Sequence, residues 1–346
     1  QAYNNMVKGA QDIIMQLETD GDTGTHMGMA RIMRVFVFHR ITDLYGDCPY
    51  SEAGKGYSDG ILTPKYDSQQ DIYMDMLKEL EEAVAQISGD GALGSADVIF
   101  GGSAAHWKAF GNSMMLRLAM RLTQVDAATA QAWAVKAING GTMTSNAHIA
   151  SVKHGDGSTG NRNGHGEVFL ADQGSRISTS FMSRMVNDPR KTRLFMRQSD
   201  KSQVEADLMG MKNGLKNDPY TSLDGVAIPA AGDTGVYAMA ATELQSLTAP
   251  MVLQTYAEVE FLKAEAAIRG WISTSDKDHY EAGVTAGMKM LEGIYGTTPI
   301  SDAEVSTYLA GDGAYKASGS VAERWEQVMD QYWIATYFNE YEAYSN

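Results

Sequence analysis

The stretch Asp43-Leu-Tyr-Gly-Asp-Cys-Pro-Tyr-Ser-Glu-Ala53 lies between two helical patterns. Before it, apolar residues recur at spacings of three and four over residues 33–44, which predicts a helix with one buried face. The same spacing returns over residues 73–87, and charged residues occupy the opposite face. Asp67 or Ser68 is placed to cap the start of this second helix. The stretch therefore marks an irregular segment between two amphipathic helices.

Helical periodicity continues to the end of the chain, whereas strand-like alternation is short and scattered. The further predicted helices cover residues 107–122, 127–138, 252–266, 280–294 and 321–335. Helix pairs at intervals of 30 to 40 residues are typical of stacked helical hairpins, as in tetratricopeptide proteins, although no single repeat matches that consensus well. We predict a mainly α fold, a superhelix of tetratricopeptide-like hairpins.

Two long stretches interrupt the helical pattern, at residues 142–174 and 212–247, and both are rich in glycine or proline. Loops of this length in a compact protein usually carry function. We expect these irregular stretches to face a ligand.

The composition indicates a globular protein, with 44% hydrophobic and 21% charged residues among 346. No Pro-rich, Ser-rich or single-sign charged linker divides the chain, so we predict one domain over residues 1–346. The formal net charge of −15 disfavours nucleic acid and anionic lipid as partners. Cys48 is the only cysteine, which excludes an internal disulfide and a multi-thiolate zinc site.

Motifs for cofactors and metals are incomplete. Two segments spell G-x-G-x-x-G, at residues 89–94 and 155–160, but neither follows a strand and opens a helix as a dinucleotide site requires. No phosphate-binding loop, zinc-protease motif or nucleophile elbow occurs. Residues 20–24 begin like a calcium loop without its remaining ligands, which favours a turn. We predict no cofactor and no metal, and a calcium site assembled from distant loops stays open.

Three glutamates on one predicted helix allow two interpretations. Glu258, Glu260 and Glu265 could supply the acid pair of a glycoside hydrolase. Glu260 and Lys263 are three residues apart, a spacing that suits a surface ion pair. We favour the second interpretation, which places these glutamates on a solvated helix face.

Aromatic residues give the candidate ligand contacts, because exposed rings stack on sugars and on flat apolar ligands. Trp107, Trp325 and Trp333 lie in helical stripes and are predicted to be core residues. Other rings lie in or beside irregular stretches, where an exposed ring is expected. The candidate ligand-binding residues are these rings, Tyr57, Phe169, Tyr220 and Tyr237, and two planar polar groups, Asn163 and Arg176.

Five blocks of the sequence resemble the SusD/RagB-like outer-membrane nutrient-binding lipoproteins, and in particular their second subgroup. The blocks are residues 43–53, Thr63-Pro-Lys-Tyr-Asp-Ser68, Trp107-Lys-Ala-Phe-Gly-Asn-Ser-Met-Met-Leu-Arg-Leu-Ala-Met-Arg121, Asn187-Asp-Pro-Arg190 and Tyr256-Ala-Glu-Val-Glu-Phe-Leu-Lys-Ala-Glu-Ala-Ala-Ile-Arg-Gly-Trp271. Together they span most of the chain, and their order and spacing make the resemblance specific. Cys48 stands where relatives carry an apolar residue, so we expect a buried thiol.

The resemblance implies a place at the cell surface, on the outer membrane, through an N-terminal lipid anchor that this sequence does not contain. It implies a SusC-like TonB-dependent transporter as partner and a glycan, or sometimes a peptide, as ligand. It also implies a lipoprotein signal before Gln1 and a further segment after Asn346.

We therefore predict a protein that is not an enzyme and that binds a nutrient, an oligosaccharide, for delivery to the transporter. Two alternatives remain open at this point: a helical scaffold that binds only peptides or proteins, and a helical glycoside hydrolase.

Overall fold

The computed structural model describes residues 2–91, 93–155, 161–213, 222–223, 226–227 and 234–345. Its α-helices, in chain order, are α1 Lys8–Thr19, α2 Thr25–Tyr45, α3 Gln69–Gln86, α4 Ala104–Arg121, α5 Ala127–Asn139, α6 Gly164–Ala171, α7 Thr179–Met182, α8 Lys191–Leu194, α9 Tyr256–Ile268, α10 Asp276–Tyr295, α11 Asp302–Ala310, α12 Val321–Ala335 and α13 Glu340–Ser345. The predicted mainly α fold is confirmed.

The strands are short and form two-stranded pairs. They are β1 Cys48–Pro49, β2 Tyr66–Asp67, β3 Ala150–Val152, β4 Phe195–Arg197, β5 Ser222–Leu223, β6 Val226–Ala227, β7 Ala238–Ala240 and β8 Met251–Gln254. β1 pairs antiparallel with β2, β4 with β7, and β5 with β6. No helix in the described part of the chain is both long enough and apolar enough to cross a membrane.

The chain folds into two compact units, each assembled from separated stretches of sequence. Unit 1 comprises Gln1–Ala150, Val252–Gly283 and Ala335–Asn346, and unit 2 comprises Ser151–Met251 and Val284–Ile334. The single domain over residues 1–346 stays a prediction.

Unit 1 is a succession of neighbouring helices, in which α1 packs on α2, α2 on α3, α3 on α4 and α4 on α5. Ser68 caps α3 as predicted, with its hydroxyl accepting a hydrogen bond from the backbone N–H of Asp71. Gly111 lets α4 approach closely, since a Cβ at this position would lie 2.5 Å from Val84 Cγ2 on α3. Cys48 is a buried free thiol, as expected.

The solvated positions predicted for the glutamates of α9 are wrong. Glu258, Glu260 and Glu265 are all buried. Lys263 does pair with Glu260 at 2.9 Å, but the pair lies largely out of water. Helix α9 is buried around most of its circumference, so its glutamates lie inside the unit and need cationic partners there.

The prediction of core positions for three tryptophans is confirmed for Trp107, which is buried. It is wrong for Trp325, whose exposed fraction is 39%. The buried stripe of α12 runs through Val328 and Tyr332, which leaves Trp325 at its margin. Trp333 is half-buried and packs edge-on against Phe181 within unit 2.

Candidate ligand-binding cleft

Residues 51–65 form a loop whose two ends are fastened together. The carboxylate of Asp67 accepts hydrogen bonds from the backbone N–H and the hydroxyl of Ser51, each at 2.8 Å. The carboxylate of Glu52 accepts from the backbone N–H of Lys65 at 2.9 Å. Together with the β1–β2 pair, these bonds fix the base of the loop.

The tip of this loop is a turn that presents one aromatic ring. The backbone N–H of Asp59 donates to the carbonyl of Lys55 at 3.0 Å, which closes the turn. Tyr57 lies within it and is 98% exposed. Gly54, at a φ of +77°, brings the loop against Gln11 of α1, since a Cβ there would lie 3.0 Å from Gln11 Cβ.

A cleft of about 570 Å³ lies between this loop and the helices, and we call it the α1 cleft. Helix α1 and the turn after it line the cleft with Gln11, Ile14, Met15, Glu18 and Thr23. Helices α2 and α3 contribute Met27, Arg31, Arg34, Glu79 and Gln86. The loop contributes Lys55, Ser58 and Asp59, so Tyr57 lies between two lining residues. The volume is within the range of small-molecule sites.

Two arginines lie on the floor of the α1 cleft, and both are held by neighbouring groups. Arg31 donates to Glu82 at 2.6 Å and to Gln86 at 3.2 Å. Arg34 pairs with Glu79 and donates to the Tyr50 hydroxyl at 3.0 Å. These bonds fix the guanidinium planes, so the floor is rigid and polar.

The protonation states of the floor groups follow from these contacts. The hydrogen bond from Arg31 lowers the pKa of the Glu82 carboxyl. Burial disfavours the charge of Arg34, but Glu79 and Tyr50 outweigh burial and raise the pKa of its guanidinium. Burial also raises the pKa of the Tyr50 phenol, which therefore stays protonated. The floor thus keeps its ion pairs at neutral pH.

The rim of the α1 cleft differs from its floor. In the described part of the chain, the side chains of Gln11, Glu18, Lys55, Ser58 and Asp59 make no hydrogen bond or ion pair with other protein groups. Their donors and acceptors are available to a ligand. A ring at the tip, free polar groups at the rim and a few apolar side chains suit a polyhydroxylated ligand, which stacks and hydrogen-bonds at the same time.

The other predicted ligand-binding residues that the structure describes belong to unit 2. Asn163 is buried, caps α6 through Gly166 and donates to the carbonyl of Ala249 at 2.8 Å. Phe169 lies half-buried on the same helix. Tyr220 lies outside the described residues.

Arg176 and Tyr237 meet at one carbonyl. Arg176 Nε donates to the carbonyl of Thr234 at 3.0 Å, and the backbone N–H of Tyr237 donates to the same oxygen at 3.1 Å. The expectation of an exposed ring is wrong for Tyr237, whose exposed fraction is 0% and which packs against Met209 and Met211. It is correct for Tyr57. Ligand binding by these residues stays a prediction.

The sequence interpretation missed helix α1 and every lining residue of the α1 cleft. Ile14 is the only buried position of α1, but Ala10, Ile14 and Leu17 recur at spacings of four and three, a pattern that could have predicted the helix. For the loop tip, the sequence signal was the pair of glycines on either side of Tyr57, Gly54 and Gly60. They mark a turn that exposes the ring between them.

A second cleft of about 500 Å³ in unit 1 is lined in part by Asp43, Tyr73, Met74, Arg121 and Val125. Asp43 accepts from both Arg121 and the Tyr73 hydroxyl, and Asp126, a further lining residue, accepts from the backbone N–H of Thr129. This leaves less free hydrogen-bonding capacity than the α1 cleft has. Among the described residues, no group of three or more His, Cys, Asp or Glu side chains is placed to hold a metal ion.

Comparison with solved structures gives neighbours over almost the whole chain. A chitin-binding protein is 33% identical, with a TM-score of 0.81 over 99% of this chain and 72% of that one. A SusD-like protein of the Bacteroidetes is 29% identical, with a TM-score of 0.83 over 99% of this chain and 76% of that one. A chitin-binding SusD homologue from Flavobacterium johnsoniae shares the fold at 24% identity, with a TM-score of 0.78 over 99% and 72%.

No curated protein matches the chain in sequence. The family model described as SusD-like, "Starch-binding associating with outer membrane", matches residues 1–346. The resemblance found in the five sequence blocks is thereby confirmed over the whole chain. The chain belongs to this SusD-like family of nutrient-binding proteins that associate with the outer membrane.

Proposed function

We propose that this protein captures an oligosaccharide at the cell surface, without cleaving it, and passes it to a SusC-like TonB-dependent transporter. The observation that carries the proposal is the fastened loop of residues 51–65, in which the exposed Tyr57 lies in the chain between Lys55 and Ser58, two lining residues of the α1 cleft with free polar groups. The starch-binding description of the family supports the proposal, and so does the 33% identical neighbour, which is a chitin-binding protein.

Passive capture agrees with the chemistry of the acidic residues. Glu258, the glutamate that the hydrolase alternative depends on most, is buried against Arg117 at 2.6 Å. A general acid must lie within hydrogen-bonding distance of the glycosidic oxygen, and Glu258 is enclosed by protein. We expect oligosaccharides to leave the protein unchanged, which chromatography of a long incubation would check.

The ligand-binding part of the proposal is tested with Tyr57→Ala. Loss of one stacking ring costs about 1 kcal/mol, so the affinity for the bound oligosaccharide should fall roughly fivefold. The probe is the N-acetylglucosamine hexamer, chosen from the neighbour's name, together with neutral hexamers of glucose and xylose. Isothermal titration calorimetry measures the affinities.

The matched control is Tyr45→Ala. Tyr45 is 75% exposed but ends α2, about 27 Å along the helix from the cleft residue Met27. Its removal should leave the affinity unchanged. Equal affinities for wild type and Tyr57→Ala would remove this ring from the site, and no binding of any glycan would refute glycan capture.

Delivery to a transporter is tested by co-expression with a SusC-like barrel, followed by purification of the barrel in detergent. We expect the protein to co-purify. Its absence from the purified barrel, in cells that contain both proteins, would contradict the delivery step and leave glycan binding standing.

A further inference from the structure

The charge on the floor of the α1 cleft is neutralised by the protein itself. Arg31 donates to Glu82 at 2.6 Å, and its Nε lies 3.6 Å from Glu79. Arg34 shares Glu79 and adds the Tyr50 hydroxyl. A ligand carboxylate or sulfate that approached either guanidinium would have to displace a protein carboxylate already in place.

The rim adds negative charge. Glu18 and Asp59 carry carboxylates, and Lys55 carries the one ammonium among the rim residues without a partner in the described part of the chain. The unpaired groups therefore sum to one negative charge, in a protein whose formal net charge is −15. An anionic ligand meets repulsion at the rim and no free cation on the floor.

We infer that the α1 cleft selects uncharged oligosaccharides and rejects those that carry uronate or sulfate groups, and that Glu82 sets this selectivity by neutralising Arg31. The inference rests on the proposed function and names the ligand class for the same cleft. An uncharged sugar does not compete with the floor ion pairs, and its hydroxyl and acetamido groups hydrogen-bond to the rim.

Helix α3 offers a matched pair of variants. Glu81 and Glu82 are adjacent, and both side chains are 46% exposed. Glu81 pairs with Lys136 at 2.8 Å, away from the cleft, whereas Glu82 pairs with Arg31 at 2.6 Å and with the exposed Lys78 at 3.7 Å. Glu81→Gln and Glu82→Gln therefore remove the same charge from the same helix, but only Glu82→Gln removes the carboxylate nearest Arg31, which keeps Glu79 at 3.6 Å as its remaining ion-pair partner.

The probes are matched as well. The N-acetylglucosamine hexamer is neutral, and a hyaluronan hexasaccharide keeps the acetamido group on alternate sugars and carries glucuronate on the others. Calorimetry at low salt and at physiological salt measures both affinities. Wild type should bind the hyaluronan probe at least tenfold more weakly than the neutral one. Neutral hexamers of glucose and xylose are included in case the bound sugar is not acetamido.

Glu82→Gln should raise the affinity for hyaluronan about fivefold at low salt and leave the neutral affinity within twofold. Glu81→Gln should change neither the hyaluronan affinity nor the neutral affinity. Both variants should keep the wild-type melting temperature within a few degrees, because exposed ion pairs contribute little to stability.

Four outcomes overturn the inference, and they separate it from the proposed function. Equal binding of both probes by wild type, or equal behaviour of the two variants, refutes charge selection while glycan capture stands. Binding of the hyaluronan probe without binding of any neutral hexamer also refutes charge selection and leaves glycan capture standing. If no probe binds to wild type or either variant, glycan capture itself fails.

Discussion

At the residue scale, His39 carries the clearest electrostatic consequence. Its ring is completely buried in unit 1, with Nε2 3.0 Å from Glu342 and Arg117 beside it. Burial lowers the pKa of His39 to about 4, and the positive charges of Arg117 and Arg121 act in the same direction against the hydrogen bond to Glu342. His39 is therefore neutral in the folded protein at pH 7.

The free energy of unfolding should therefore fall as the pH is lowered through the unfolded pKa of His39. Between the folded pKa of about 4 and the unfolded value of about 6.5, the unfolded chain binds a proton at His39 that the folded protein does not. Lowering the pH from 7 to 5 should cost roughly 2 kcal/mol through this residue alone. Urea unfolding at the two pH values should show that loss in wild type and a loss smaller by this amount in His39→Gln. The same loss in both proteins would contradict the assignment.

Glu258 shows why charged residues of this fold were hard to place from the sequence. A carboxylate on a helix belongs in water unless a cation is supplied, and the cation here is Arg117, 141 residues away. No sequence pattern within α9 indicates that Arg117 is the partner. The i to i+3 pair of Glu260 and Lys263 was predictable because it needs only helix geometry.

At the element scale, Gly54 brings the loop of residues 51–65 close to α1. Gly54 has a φ of +77°, and a Cβ there would lie 3.0 Å from Gln11 Cβ and 3.1 Å from Gln11 Cγ. Gly60, in the same loop, has a φ of +70° with no atom within 4 Å of its Cβ position. Substitution therefore strains the backbone at both glycines, but only at Gly54 would the new Cβ also press on Gln11.

Alanine at each glycine separates these two effects. Gly60→Ala should cost about 1 kcal/mol, the price of a left-handed conformation for a residue with a Cβ. Gly54→Ala should cost more, because the loop or α1 must also shift by a few tenths of an ångström. Chemical denaturation of both variants measures the difference. Equal losses would mean that the loop is not held against α1 at this point.

Elements with strong periodicity were predictable, and those fixed by tertiary contact were not. Helices α3, α4, α5, α9 and α12 were expected within a few residues of their observed bounds. Helix α11 was missed although Ser301 and Glu304 form a capping box at its start, a signal that the sequence contains. The loop tip at Tyr57 has no periodic signal, since its position depends on packing against α1.

At the scale of the whole molecule, unit 1 is completed by segments far apart in the chain. Arg117, from the first segment, is buried between Glu258 of the second and Glu342 of the third, the latter at 3.1 Å. Glu342 also accepts from Arg121 and lies 3.0 Å from His39. The last helix, α13, therefore supplies the negative charge that balances a buried cationic centre. This dependence could not be read from local sequence.

Removal of that charge should destabilise the unit as a whole. The adjacent arginines hold the pKa of Glu342 well below its usual range despite burial, so its charged form is the one that stabilises the fold. In Glu342→Gln the cations keep their burial and lose a partner, which costs about 3–5 kcal/mol. Asp12→Asn, at an exposed position of α1 in the same unit, removes an equal charge and should cost less than about 1 kcal/mol. Thermal unfolding followed by circular dichroism should show a fall of several degrees for the first variant and little change for the second. Equal falls would mean that α13 contributes only a general surface charge, and the buried arginines would then have to be balanced by Asp43 and Glu258 alone.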